Sequence, residues 1–478
     1  MQGGRRKRPT VRARLLSARG SLAALTAALL LGGCNLGPYY HRPDVPPPAD
    51  WLTKAQPAAA EWPAADWWQE FHSDDLNVFI TQAQHANDDL KAAIARVRQA
   101  DAQRRIAGAP LLPSLDAQAS ANRARAAFPG GGFVTVNTFN PSAIASYELD
   151  FWGKNRAGRA AATEALFASR YDRTTVELTV MAGVASTYFQ VLELRDRLSI
   201  ADANLANATK VLDGLKLEER AGTATALDVA QQETVTATVN ATIPPLRQQL
   251  RQTLDALAIL VGATPETVDV LHGTLDDVGH PEVRPGLPSQ LLARRPDVAE
   301  AEANLMAANA NIQAARAAFF PSFSLTAEGG YVSGDLNSLL NPGQRVWSLT
   351  AGLTQPIFHG GALVGQYRLS QGRYEELLAN YHKAVISAFG NVEDALIAVQ
   401  QTAELVKRQG EATNQAQRAY RFAQTQMRAG TISVLTLLST ETALFNARDA
   451  LAQAKFAQLQ AIVSLYQALG GGWEVEAS

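Results

Sequence analysis

Ser322-Phe323-Ser324-Leu325-Thr326-Ala327-Glu328 alternates polar and apolar side chains, and Trp347-Ser348-Leu349-Thr350-Ala351-Gly352-Leu353-Thr354 does so again after a polar stretch. Successive residues of a strand point to opposite faces, so period-two alternation gives a sheet one apolar and one polar side. The pattern has two earlier counterparts. Leu115, Ala117, Ala119 and Ala121 alternate with Asp116, Gln118, Ser120 and Asn122; Ala143, Ala145, Tyr147, Leu149 and Phe151 alternate mostly with Ser142, Ser146, Glu148 and Asp150. Runs of about 10 residues suit tilted strands that cross a membrane. Aromatics at the run ends (Trp152, Phe323, Trp347, Phe358) fit an interfacial girdle. A soluble antiparallel sheet with one wet face would show the same alternation. Stretches 123–141 and 332–345, rich in Gly, Pro, Asn and Ser, read as hairpin loops.

Around these runs lie helices. Ala-rich segments at about 75–107 and 297–317 read as helical, the second starting at Asp297 after Pro296. From about 157 to 218 nothing strong breaks a helical pattern. Some 60 residues at 1.5 Å each would reach roughly 90 Å, too long for an ordinary globular core. Val385, Phe389, Val392, Leu396, Val399, Ala403 and Val406 are spaced four and three in turn. Leu437, Leu444, Leu451 and Leu465 share one seven-residue register, and Ala447, Ala454, Ala461 and Ala468 share another. Such a repeat implies coiled-coil packing, and two registers on one helix imply neighbours on two sides.

The whole arrangement occurs twice. Arg220-Ala221-Gly222-Thr223 recurs as Arg428-Ala429-Gly430-Thr431, and Leu227, Glu233, Thr234, Leu257 and Gly262 recur as Leu435, Glu441, Thr442, Leu465 and Gly470. The offset is always 208 residues, as it is between Pro113-Ser114 and Pro321-Ser322. This is a tandem duplication of one large unit.

At the N-terminus, seven basic residues (Arg5, Arg6, Lys7, Arg8, Arg12, Arg14, Arg19) precede the apolar run Leu22–Leu31. A basic head, a short apolar core and small residues form a secretory signal, too short to span a bilayer. Leu31-Gly32-Gly33-Cys34 resembles a bacterial lipobox, which implies cleavage before Cys34 and acylation there. Several acyl chains anchor where one would not. Asn35, rather than Asp, follows; in that sorting pattern this favours the outer membrane.

Charge and composition exclude several classes. Removing the seven signal-segment charges takes the formal net charge from −2 to −9, which disfavours nucleic-acid binding. With 47% hydrophobic residues but no long apolar runs, the chain is neither disordered nor a polytopic helical membrane protein. Cys34 is the one cysteine and the seven histidines are scattered. No metal-binding, phosphate-binding or catalytic motif is present, so no cofactor, metal or enzyme activity is expected.

Four membrane strands cannot close a barrel, and open edges in lipid cost several kcal/mol per unpaired group. The missing strands must come from other copies: two chains together give eight strands and three give twelve. Larger barrels hold water.

Taken together, the mature chain resembles the TolC-like outer-membrane factors, in particular the lipoprotein branch of RND-type multidrug exporters. The motifs are Pro38-Tyr39 with Arg42-Pro43, Pro46 and Trp51; Trp67-Trp68 with Phe71 and Leu76; Arg294-Arg295-Pro296-Asp297 with Ala299-Glu300, Ala315-Arg316 and Phe319-Phe320-Pro321; and Ala468-Leu469-Gly470-Gly471-Gly472-Trp473. The resemblance implies a mixed α and β membrane protein: a trimeric transmembrane β-barrel, four strands per chain, continued by a long α-helical coiled-coil periplasmic tunnel. The division expected is a signal peptide at 1–33, a Pro-rich anchor and equatorial segment at 34–73 and a first repeat at 74–270. A linker at 271–293, a second repeat at 294–473 and a tail at 474–478 follow. Implied partners are two further copies, a periplasmic adaptor, an inner-membrane RND drug–proton antiporter and outer-membrane lipid through acylated Cys34, with no nucleic acid. The implied role is the exit duct for drugs or other small toxic compounds. A type I protein-secretion conduit and a periplasmic coiled-coil structural lipoprotein are the alternatives.

The same resemblance gives two candidate regions. Arg220, Gly222, Thr223, Arg428, Gly430 and Thr431 would form the periplasmic tips that meet the adaptor. Leu435, Thr436 and Ser439 would line the tunnel constriction. Some relatives carry acidic residues there; this chain has none, which leaves Leu435 as a hydrophobic closure.

Overall fold

The computed structural model describes residues 37–52, 62–127, 130–270, 273–282 and 288–473; the signal segment 1–33, Cys34 and the tail 474–478 lie outside them. Four strands, β1 Ser114–Ala127, β2 Phe133–Leu149, β3 Ser322–Tyr331 and β4 Arg345–Thr354, form one antiparallel sheet in chain order. The registers align Leu115 with Ala145, Ala145 with Ala327, and Ala327 with Leu349. Odd-numbered positions therefore share one face throughout, apolar over the half nearer the helices, and Asp116, Glu148 and Glu328 share the other. Trp347, Leu349 and Leu353 are uncovered, Trp347 by 82%. β1 and β4 each keep an open edge.

The expected loop at 123–141 is mostly strand: β1 runs to Ala127 and β2 starts at Phe133. The β-branched alternation Val134, Thr135, Val136 outweighs the Asn and Pro residues that suggested a loop. At Pro141, which has no N–H to donate, the β2–β3 ladder stops, and it resumes as an isolated bridge between Phe139 and Ser333. The second connection, 332–344, is a loop as expected.

The helices are α1 Asp74–Ala86, α2 Asp88–Gly108, α3 Lys154–Arg220, α4 Ala226–Leu260, α5 Pro296–Ala317, α6 Ala362–Arg428 and α7 Val434–Ala468. Both α3 and α6 have 67 residues, and both α4 and α7 have 35. Their bounds differ by the same 208 residues, so the duplication extends to helix ends. At 1.5 Å per residue the longer pair each extend about 100 Å. The helix expected at 75–107 is two, broken at Asn87, whose backbone is extended. The Asn87 side chain accepts the Leu90 N–H at 2.9 Å and donates to the Leu260 carbonyl at 2.8 Å, an N-cap that also ties α2 to α4. Among the described residues no helix is long and apolar enough to cross a membrane.

Two compact units are interleaved along the chain. The strand-bearing unit comprises Arg98–Ala168, Glu302–Asn380 and, of the N-terminal segment, residues 37–43. Within it that segment runs antiparallel to α5. Asn309 donates to the Pro38 carbonyl at 3.1 Å, and Tyr40 and Arg42 both reach Glu302, at 3.3 and 2.8 Å.

The helical unit holds the main core. Trp67, Phe71, Phe189 and Tyr466 are buried, with the Trp67 ring stacked 4.9 Å from Tyr466. Burying each such ring contributes about 2–3 kcal/mol. Tyr466 donates to Glu70 at 2.6 Å. Arg295 forks onto Asp297 at 2.9 and 2.6 Å and donates to the Ala468 carbonyl. Gly470 has φ +90°, and a Cβ there would strike the Arg294 carbonyl, so the glycine run is required by close packing. On α6 the heptad is buried at Val385, Val392 and Leu396 and exposed by Ala403.

Candidate functional site

The helical unit ends in two hairpin turns built alike. At the end of α3, Gly222 adopts φ +75°. Its N–H bonds the Glu219 carbonyl at 2.9 Å and the Thr223 N–H bonds the Glu218 carbonyl at 2.9 Å. This pair of bonds is a Schellman cap, which needs a left-handed residue where the helix stops. At the end of α6, Gly430 at φ +69° bonds Met427, and Thr431 bonds Gln426, both at 3.0 Å. The hydroxyls of Thr223 and Thr431 donate to the same carbonyls, each at 3.0 Å. Gly and Thr in the repeated motif thus have a local structural use, while Arg220 and Arg428 stand exposed beside them.

The following helices start with caps the sequence reading missed. Thr225 and Asp228 form a capping box at α4. At α7, Ser433 accepts the Thr436 N–H at 3.3 Å and its hydroxyl meets that of Thr436 at 3.1 Å. Serine or threonine three residues ahead of a polar residue is the signal that could have found both.

The structure brings the two hairpins together at this end. Val434 and Leu438 of α7 pack with Leu212 and Leu215 of α3 and Val229 of α4. Leu437 and Leu444 pack with Tyr420 and Ala423 of α6. Leu435, Thr436 and Ser439 lie off this core on one exposed face of α7, Leu435 being 62% exposed. Its duplicate Leu227 is 65% exposed. Thr436 and Ser439 turn their hydroxyls to local partners, Ser439 donating to the Thr436 carbonyl at 3.0 Å. The three residues therefore share one face, as the constriction reading requires, and no acidic side chain stands among them. Cys34 lies outside the described residues.

Sequence reading also missed a buried polar cluster just behind the tips. Glu441 and Gln232 are wholly buried. Gln232 donates to the Ala208 carbonyl at 2.8 Å and Tyr420 donates to Glu441 at 3.4 Å. Burial raises the Glu441 carboxyl above its ordinary range, and hydrogen bonds from Gln232 and Tyr420 counter that only partly. Farther along, a cleft of about 720 Å³ lies between α3, α4 and α7, crossed by the Arg197–Asp449 ion pair at 2.6 Å. Among the described residues no group of His, Cys, Asp and Glu is arranged to hold a metal ion.

Comparison with known proteins matches this architecture. The outer membrane efflux protein family matches residues 79–263 and again residues 287–471, two segments offset by the same 208 residues. The pyoverdine export outer membrane protein OpmQ of Pseudomonas aeruginosa is 40% identical over 463 residues, covering 95% of this chain and 97% of its own. The probable efflux pump outer membrane protein TtgC of Pseudomonas putida is 33% identical, covering 95% of each chain. The solved structure of the outer-membrane channel OprN superimposes with a TM-score of 0.87 at 27% identity, covering 92% of this chain and all of that one.

Proposed function

This chain belongs to the outer membrane efflux protein family, and from that premise we propose that three copies close a twelve-stranded barrel forming the outer exit of a tripartite pump. It is an outer-membrane efflux channel protein. The observation that carries the trimer is the sheet: four strands, one apolar and one polar face, and open edges on β1 and β4. Such edges in lipid cost several kcal/mol per unpaired group, so β4 of one copy pairs with β1 of the next. The polar faces then surround a common lumen. The protein is a passive duct with no chemical step of its own; an inner-membrane RND transporter supplies the energy. The cargo is small molecules, a reading supported by the P. aeruginosa relative, whose name is that of a pyoverdine exporter.

Within that assembly, Arg220, Gly222, Thr223, Arg428, Gly430 and Thr431 form the tips that dock the periplasmic adaptor, and Leu435 closes the tunnel with Thr436 and Ser439 beside it. Cys34 carries the acyl anchor. Residues 38–42 run along α5 with Pro38 toward the helix end that feeds β3, which supports this reading.

Edge pairing is tested by cross-linking. Cysteine at Ser120 on β1 is combined in turn with cysteine at Ser348, Thr350 or Thr354 on β4. One combination should give a disulfide-linked trimer on a denaturing gel, with ohmic conductance in planar bilayers. No linked trimer from any combination, and a monomer without conductance, would reject the proposal.

A further inference from the structure

The strands segregate their charges by face and by height. On the odd-numbered, apolar face the charged residues are Arg123 and Arg125 of β1 and Arg345 of β4, while the opposite face carries Asp116, Glu148 and Glu328. All three arginines lie toward the hairpin ends of their strands, away from the ends that join helices. From Leu115 to Arg123 is eight residues and to Arg125 ten. At 3.3 Å per residue and a tilt near 40°, these stand about 20 and 25 Å above Leu115. The apolar band of an outer-membrane barrel is about 25 Å tall. An arginine at the middle of that band is strongly disfavoured, whereas at its rim the side chain reaches water and the headgroups and the cost nearly vanishes.

The surroundings of these arginines are arranged for an anion. Arg125 stands over the Phe133 ring at 5.0 Å. Across the ladder, Arg125 pairs with Thr135 and Arg123 with Asn137, so two polar side chains share the patch. Arg345 opposes Tyr331, two residues from the exposed Trp347. Among the described residues none of the three arginines has a carboxylate partner.

We propose that Arg123, Arg125 and Arg345 form a docking belt for the phosphate groups of a phosphorylated glycolipid in the outer leaflet. The inference rests on the outer-membrane channel reading, which puts this face in lipid and this end outermost. A guanidinium binds phosphate through two parallel hydrogen bonds, and a multiply charged phosphate at the rim matches a face with three positive and no negative charges. A zwitterionic phospholipid offers a weaker match. In the trimer the belt repeats three times, beside aromatic rings that settle against acyl chains.

The purified trimer is mixed with bis-phosphorylated lipid A, with the same lipid after enzymatic dephosphorylation, and with phosphatidylethanolamine. Retained lipid is counted by native mass spectrometry. The wild type should retain the phosphorylated form about tenfold over the other two. R123Q/R125Q/R345Q should lose that preference while keeping trimer and conductance, and R123K/R125K/R345K should keep most of it. Equal retention of phosphorylated and dephosphorylated lipid by the wild type overturns the inference, as does a glutamine variant that binds like wild type. Should the glutamine variant fail to trimerise, the wild-type lipid comparison decides alone. Intact conductance without lipid preference removes the belt and leaves the channel reading standing, whereas absent conductance removes the channel reading itself.

Discussion

Glu441 is wholly buried in α7, whereas its duplicate Glu233 sits on the surface and pairs with Lys216 at 2.9 Å. One oxygen of Glu441 and the side-chain oxygen of Gln232 are buried without a hydrogen-bond partner. An ionised carboxylate there would be a buried charge without a cationic partner among the hydrogen bonds described. Burial raises its folded-state pKa above the unfolded value. Between the two values the folded chain holds a proton that the unfolded chain has released, so stability falls as pH rises through that window. Below the unfolded value, near 4.5, the effect vanishes. Glu441→Gln should therefore leave the thermal midpoint unchanged near pH 4 and raise it by a few degrees at pH 8. A midpoint difference that does not vary with pH would show that Glu441 is ionised in the folded protein. At the same scale, Leu435 and Leu227 differ in expected role despite their common origin and similar exposure. Leu435→Ala should raise passive entry of a bulky antibiotic several-fold, and Leu227→Ala should not; neither should cost much stability, because both side chains are largely exposed. Equal entry in the two variants would remove Leu435 as the closure. Leu435 is singled out by the family resemblance, whereas Glu441 enters the sequence reading only as the duplicate of Glu233, since nothing local distinguishes a buried glutamate from its exposed copy.

At the scale of elements, the tips were legible because glycine has a conformation that other residues adopt at a cost. A Cβ at Gly222 or Gly430 meets nothing within 4 Å, so the penalty of alanine there is backbone strain at φ +75° and +69°. Each Gly→Ala change should cost about 1 kcal/mol, and removing the Thr225 cap by alanine about the same. Hydrogen exchange at the tip amides should rise accordingly, with exchange in the Trp67–Tyr466 core unchanged. Faster exchange throughout would mean that the tip and the core unfold together. The long helices were also legible, since their ends repeat with the duplication. What failed were boundaries set by distant partners. Asn87 breaks a helix because its amide reaches Leu260, 173 residues away. Residues 133–141 are strand because they pair with β1, despite a composition that suggests a loop. Pro244 and Pro245 lie inside α4, where α7 has Ala452 and Gln453. Local rules would end the helix there, yet tertiary packing carries it through to Leu260.

The assembled molecule carries a property that no single chain displays. Asp116 pairs with Ile144, and Ile144 with Glu328, so the two carboxylates lie on one row of the polar face, one strand apart. Two strand spacings put them about 10 Å from each other. Closing the barrel with three copies would place six such groups around the lumen. Glu148 adds little, because Lys154 pairs with it at 3.1 Å. Thr436 and Ser439, the residues proposed for the constriction, are uncharged, which makes this barrel row the main fixed charge that the polar strand faces offer to permeant ions. A spacing close to the Debye length of about 8 Å at physiological salt means that the six charges act together in dilute solution and separately in concentrated solution. The trimer should therefore prefer cations, with a reversal potential in a tenfold KCl gradient that moves toward zero as both sides are made more concentrated. Asp116→Asn with Glu328→Gln should abolish most of that preference while leaving the trimer band intact. Unchanged selectivity in the double variant would place the controlling charge outside the barrel and break the link between the polar strand face and the conduit's lumen.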